Sequence, residues 1–184
     1  ILTNEKTFLM AVKIMGYETH MPAGKFMLYN PKTNYRIINQ LIKGKPILQK
    51  VTLLEGWTMK KVAEVLETEL GIKKAEVMAI CSDNIFIESH NIPSETLEGF
   101  LFPETYFFQE NDSPKNIISQ ILMEYKKNIF EEHITYAQGL GINELELVTL
   151  ASIIEGEAIF DSERPTISAV YHNRLNLGMK LQAD

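Results

Sequence analysis

Two carboxylates near the end of the chain offer the clearest chemistry. Glu155 and Glu157 stand where an apolar run, Leu147 to Ile154, breaks into a turn. A glutamate at a helix C-terminus, on the edge of an apolar face, meets two effects that favour its protonated form. Burial disfavours the anion, and so does the negative end of the helix dipole. A protonated carboxyl is what a general acid needs. Glu157 lies two residues on and cannot share a face of a regular helix with Glu155. The same pattern fits two surface glutamates at a frayed helix end, and on the pattern alone that plainer reading comes first.

The elements that must position these groups are marked by local signals. Asn143 and Glu146 have the spacing of a capping box. The helix they open is expected to bury Leu147, Leu150, Ala151 and Ile154. Asp161 or Ser162 suits the cap of a following helix, with Pro165 in its first turn and Ile167, Val170, Tyr171 and Leu175 on its apolar side. Arg174 falls late in that helix, and Gly178 ends it. His172 reads first as a core or groove histidine. Asn173 carries a propensity cost in mid-helix, tolerable if its amide bonds a neighbouring loop. Gln182 and Asp184 fall in a short extended piece able to return towards Glu155.

Further upstream the pattern mixes strands with short helices. Phe8 to Ile14 fits a strand or one buried helical turn, and Lys25–Tyr29 an edge strand. Asn34 suits the cap of a helix ended by Gly44. Ile47 to Leu54 has strand character. Thr58 is a plausible N-cap for a helix that Gly71 closes, although Lys61 stands where a capping box would place Glu. A second helix, about Lys73 to Ile80, completes a strand–helix–helix (βαα) unit. Asp83 to Glu95 is polar and turn-rich, the expected boundary between two halves. Leu97 to Phe108 is aromatic and broken by Pro103, either core packing or the wall of a groove. Pro114 opens an amphipathic helix with Ile117, Ile118, Ile121, Leu122 and Tyr125 on one face. The fold class expected is α+β.

Bulk properties narrow the field. The 184 residues allow one domain or two small ones. The net charge of −6 and the scattered lysines give no nucleic-acid footprint, and a mildly acidic surface suits a neutral or zwitterionic ligand such as a glycan. Cys81 is the only cysteine, so no internal disulfide forms, and it reads first as a small buried hydrophobe. No histidine spacing suits a metal and no glycine-rich loop suits a nucleotide, so neither metal nor cofactor is expected. No nucleophile elbow is present. No run approaches 18 apolar residues. Both ends read as cut.

With these residues in view, the chain resembles the MltG/YceG-like family of endolytic murein transglycosylases. Four blocks carry the likeness: VTLLEGWTMKKVAEVL from Val51, LEGFLFPETY from Leu97, LASIIEGEA from Leu150, and SERPTISAVYHNRLNLGMKLQAD from Ser162. Leu54 stands where the family commonly has proline. The resemblance implies a small LysM-like βαα module at about 51–82, within an N-terminal region 1–83. It implies a mainly helical catalytic domain over 84–184, expected to be truncated at Asp184, where a family motif begins. It places the catalytic glutamate at Glu155. Its motif positions also match Glu157, Ser162, Glu163, Asn173, Arg174, Gln182 and Asp184, and Phe100, Phe102, Tyr106 and Arg174 are expected to line a sugar groove.

The activity implied is lysis, without water, of the β-1,4 bond between N-acetylmuramic acid and N-acetylglucosamine in peptidoglycan. The products carry 1,6-anhydromuramoyl ends. The partners implied are glycan strands and cell-wall synthesis proteins, not nucleic acid. The localisation implied is the cell membrane, held by an anchor absent from this chain, with the catalytic part outside the cytoplasm. Two other readings stand beside it: a non-catalytic peptidoglycan-binding scaffold, and a hydrolytic muramidase with Glu157 or Glu163 as base.

Overall fold

Side-chain caps start most of the helices in the computed structural model, which describes residues 4–129 and 131–182. Asn4, Thr33, Thr58, Asp83, Ser113 and Asn143 each accept a hydrogen bond from a first-turn backbone N–H. The architecture is mixed α+β: a small two-stranded sheet and a mainly helical remainder. By compactness the chain divides into two units, Ile1–Lys50 with Phe107–Asp112, and Val51–Tyr106 with Ser113–Asp184. The division falls within both strands of the sheet, β1 (Leu48–Thr52) and β2 (Thr105–Gln109).

In the first unit, α1 (Glu5–Ile14) is a full helix, where the sequence suggested a strand or a single turn. Helix α2 (Asn34–Lys43) is capped by Thr33, one residue earlier than expected, and buries Ile37 and Ile38. The expected edge strand at Lys25–Tyr29 does not form. Its backbone groups find other partners. Ile47 N donates to Lys25 O at 2.6 Å. The Gln40 amide clamps Tyr29, accepting from its N–H at 2.6 Å and donating to its carbonyl at 2.7 Å. One side-chain amide thus satisfies what a neighbouring strand would have satisfied.

The second unit holds the functional candidates. Helix α3 (Met59–Leu70) starts at Thr58 and ends at Gly71, whose φ of +71° is the left-handed cap anticipated for it. The carboxylate that Lys61 denies its first turn comes from Glu98, which accepts from Met59 N at 2.9 Å. Helix α4 (Lys74–Ile80) follows. The turn-rich stretch after it contains a further helix, α5 (Asn84–Ser89). Asp83 caps α5, and Phe86 and Ile87 bury its inner side. Helix α6 (Pro114–Asn128) buries the five residues its periodicity indicated. Helix α7 (Glu131–Gly139) leads to α8 (Glu144–Glu157), then a 3₁₀ turn (Asp161–Glu163) and α9 (Arg164–Asn176).

The aromatic segment also forms more structure than expected, because β2 begins two residues after Pro103. Its alternation is plain once seen: Tyr106 and Phe108 are buried, while Phe107 between them is exposed. Of the two readings of this segment, core packing describes Phe100 and Tyr106. Phe100 is fully buried and meets the Tyr125 ring edge-on at 5.1 Å. Tyr106 is buried, and its hydroxyl donates to Phe102 O at 2.7 Å.

Candidate functional site

The capping box at the start of α8 forms in both directions. Asn143 Oδ1 accepts from Glu146 N at 3.0 Å, and Glu146 Oε2 accepts from Asn143 N at 2.8 Å. Two further contacts seat the helix. The Tyr125 hydroxyl on α6 donates to Glu144 Oε1 at 2.9 Å. Gly99, at φ +84°, lies so close that a methyl group there would meet Val148 Cγ1 at 2.9 Å. This seating turns the helix from its expected orientation. Val148 and Leu150 are buried, Leu147 and Ile154 are half-buried, and Ala151 is exposed. The run 145–154 is apolar almost all round, so its periodicity defines no single face.

Helix α8 carries Glu155 in its last turn, its side chain one-third exposed. Its partner is Arg164, at the start of α9. Arg164 Nη2 lies 3.0 Å from Glu155 Oε1 and 2.8 Å from Oε2. Arg164 Nη1 lies 3.0 Å from Asp161 Oδ1. The Glu155 carboxylate, reinforced by the charges of Asp161 and Glu55, pushes the Arg164 pKa above its ordinary value, against the opposing effect of burial. Arg164 was not singled out in the sequence. The signal for it in the sequence is a cation in the first turn of a helix, where the dipole disfavours it and acidic neighbours must compensate.

The turn between α8 and α9 is held by Glu163. Its Oε2 accepts from the backbone N–H of Ile159 and of Phe160, each at 3.0 Å. Beside this turn lies an open cavity of about 590 Å³. Glu157, Glu163, Arg174 and Gln182, four of the residues proposed from sequence, line it together with Ser162 and Tyr171. Glu157 is exposed and accepts no hydrogen bond among the described residues. Arg174 donates to Leu181 O, which folds the segment after α9 back along the helix. Gln182 takes a left-handed backbone conformation with φ +54°. The segment thus returns to Arg174 and the cavity, which Glu155 does not line, rather than to Glu155 as expected.

Other expected residues lie elsewhere. Asn173 is exposed, does not line the cavity, and its amide bonds no loop among the described residues. His172 is half-buried, its Nδ1 held 2.8 Å from Ser168 O. Phe102 keeps accessible surface that Phe100 and Tyr106 lack. Asp184 lies outside the described residues. No group of three or more His, Cys, Asp or Glu side chains among the described residues is placed to hold a metal ion. No helix among them is long and apolar enough to cross a membrane.

Comparison with known proteins places this geometry in context. The chain is 28% identical to the endolytic murein transglycosylase of Streptococcus pneumoniae strain D39, over 96% of this chain and 36% of that protein. It is 28% identical to the endolytic murein transglycosylase of Bacillus subtilis strain 168, over 100% of this chain and 55% of that protein. The chain thus spans between about a third and about half of the length of these curated relatives. The crystal structure of a yceG-like protein from Listeria monocytogenes superposes with a TM-score of 0.66 at 26% identity, covering 99% of this chain and 65% of that one. The description of the YceG-like family matches residues 1–184, the whole sequence. The chain belongs to the YceG-like family.

Proposed function

We propose that the protein acts as an endolytic lytic transglycosylase on peptidoglycan, with Glu155 as its single acid and base. The family match over the whole chain carries this reading. What the geometry adds is partial exposure of Glu155 in the last turn of α8; Glu155 itself does not line the cavity, whose wall Glu157 joins two residues on. In the reaction, protonated Glu155 gives its proton to the glycosidic oxygen as the bond from C1 of muramic acid breaks. The C6 hydroxyl oxygen of the same sugar then bonds to C1, and its proton passes to the Glu155 carboxylate. Glu155 ends protonated as it began, and no water is consumed. The enzyme's task is to hold the internal nucleophile in place and keep water out. In this reading Glu157, Arg174 and Gln182 bind polar groups of the glycan, and Phe102 gives a surface to a sugar ring.

The stretch 51–82 serves in this reading as a LysM-like glycan-holding module ahead of a catalytic part from residue 84. In the whole protein, the site faces peptidoglycan outside the cytoplasm, and an anchor lying beyond this chain holds it to the cell membrane. The test is digestion of purified glycan strands by the full-length protein, with products weighed by mass spectrometry. Anhydromuramoyl ends are expected, and Glu155→Gln should abolish them. Reducing ends carrying oxygen from labelled water would instead establish hydrolysis, for which the exposed Glu157 is the candidate base. A Glu155→Gln protein working at the wild-type rate would remove the residue assignment.

A further inference from the structure

Arg164 divides its guanidinium between two carboxylates. Nη2 meets both oxygens of Glu155, Nη1 meets Asp161, and Nε is buried without a hydrogen-bond partner among the described residues. It does this from the first turn of α9, where a cation opposes the helix dipole. A simple staple between α8 and α9 would need neither the fork nor two anchors, since a lysine can pair with a carboxylate as a point charge. The arrangement has a different consequence: one planar group, paired on its other arm with Asp161, brings a single nitrogen, Nη2, against both oxygens of the Glu155 carboxylate and so fixes where that carboxylate sits.

We propose that Arg164 is a positioning residue for the lysis reaction, orienting Glu155 through Nη2 while Asp161 holds the other arm of the fork. The inference rests on the reading of Glu155 given above. In the acid step one Glu155 oxygen gives up its contact with Nη2 and carries the proton to the glycosidic oxygen, while the other keeps accepting from Nη2. In the base step the first oxygen receives the C6 hydroxyl proton while Arg164 keeps the second. Arg164 stays protonated throughout, as a guanidinium does at any working pH. The proton therefore moves only between Glu155 and the sugar. Asp161 is 91% exposed and touches neither sugar nor proton, and its part is to keep Nη1 from swinging into solvent.

The experiment compares the full-length wild type with Arg164→Lys, Arg164→Ala and Glu155→Gln on purified glycan strands. Arg164→Ala is expected to lower kcat about 100-fold, the scale of a misplaced reacting group. KM should stay within about twofold, because substrate binding is not what is lost. Millimolar guanidinium should restore part of the Arg164→Ala rate, and ammonium should not. Arg164→Lys keeps the charge without the fork and should remain well below wild type. A wild-type kcat in Arg164→Lys would overturn the inference, as would an Arg164→Ala loss that tracks a lowered Tm and ignores guanidinium. If Glu155→Gln is inactive while Arg164→Lys is normal, only the role of Arg164 falls. If Glu155→Gln is fully active, the assignment of Glu155 falls, and this inference with it.

Discussion

Cys81 shows how completely burial can silence a reactive group. The thiol is fully buried, and its pKa is pushed up to about 12, first by burial and then by the charge of Glu98. It is therefore neutral and inaccessible at pH 8. Thiol reagents should leave the native protein unlabelled at that pH and label one site on unfolding. Rapid native labelling would contradict the packing described. Tyr125 is a second local test. Burial, then its hydrogen bond to Glu144, raises its pKa, and Tyr125→Phe should remove about 1–2 kcal/mol of stability in urea unfolding. At this scale the sequence was readable where neighbours are close in number: Asn143 with Glu146, Pro114 at a helix start, Gly71 at a helix end. It was silent about Glu98 and Met59, which lie 39 residues apart. It was silent too about Arg164, whose partners sit on both sides of a turn.

Among the elements, α8 carries the candidate chemistry and depends most on others for its orientation. Its N-terminus is written in its own sequence; its facing is not. An apolar run that is hydrophobic nearly all round can be buried on several sides, and tertiary contact decides which. Here Gly99 decides, by admitting Val148. Gly99→Ala should destabilise the fold by about 2–4 kcal/mol, from left-handed backbone strain together with overpacking. A denaturation midpoint equal to wild type would refute this account of the seating. The missed β2 has the opposite cause. Its alternation was present, but Pro103 and the density of aromatic residues hid a short strand beginning just beyond. Helix α5 was missed because Asp83, Asn84 and Asn91 look like turn residues, although Asp83 is here a helix cap.

For the molecule as a whole, charge sets the response to acid. Glu64 and Glu124 have pKa values below their ordinary 4.5, each chiefly through a hydrogen bond from a lysine, Lys74 and Lys127. A depressed carboxylate adds stability above its unfolded pKa and loses it as pH falls through the folded value. Urea midpoints should therefore hold steady from pH 7 to about 5 and fall at lower pH. A midpoint rising below pH 4 would reverse the sign and contradict these pairs. The α+β class was legible from the pattern, and the family from its four blocks. By compactness the chain divides at Lys50 and Val51, and Asp83–Glu95 lies inside the second unit. The missing side chain at Gly99 reaches further than its own stability cost. It ties the LEGFLFPETY block to the glutamate helix some fifty positions later, so the two stretches cannot drift independently. Trimming Val148 to alanine would return room to Gly99→Ala but not the backbone's handedness. Such a suppressor should recover only part of what was lost, and the unrecovered part would weigh geometry against volume at a single contact.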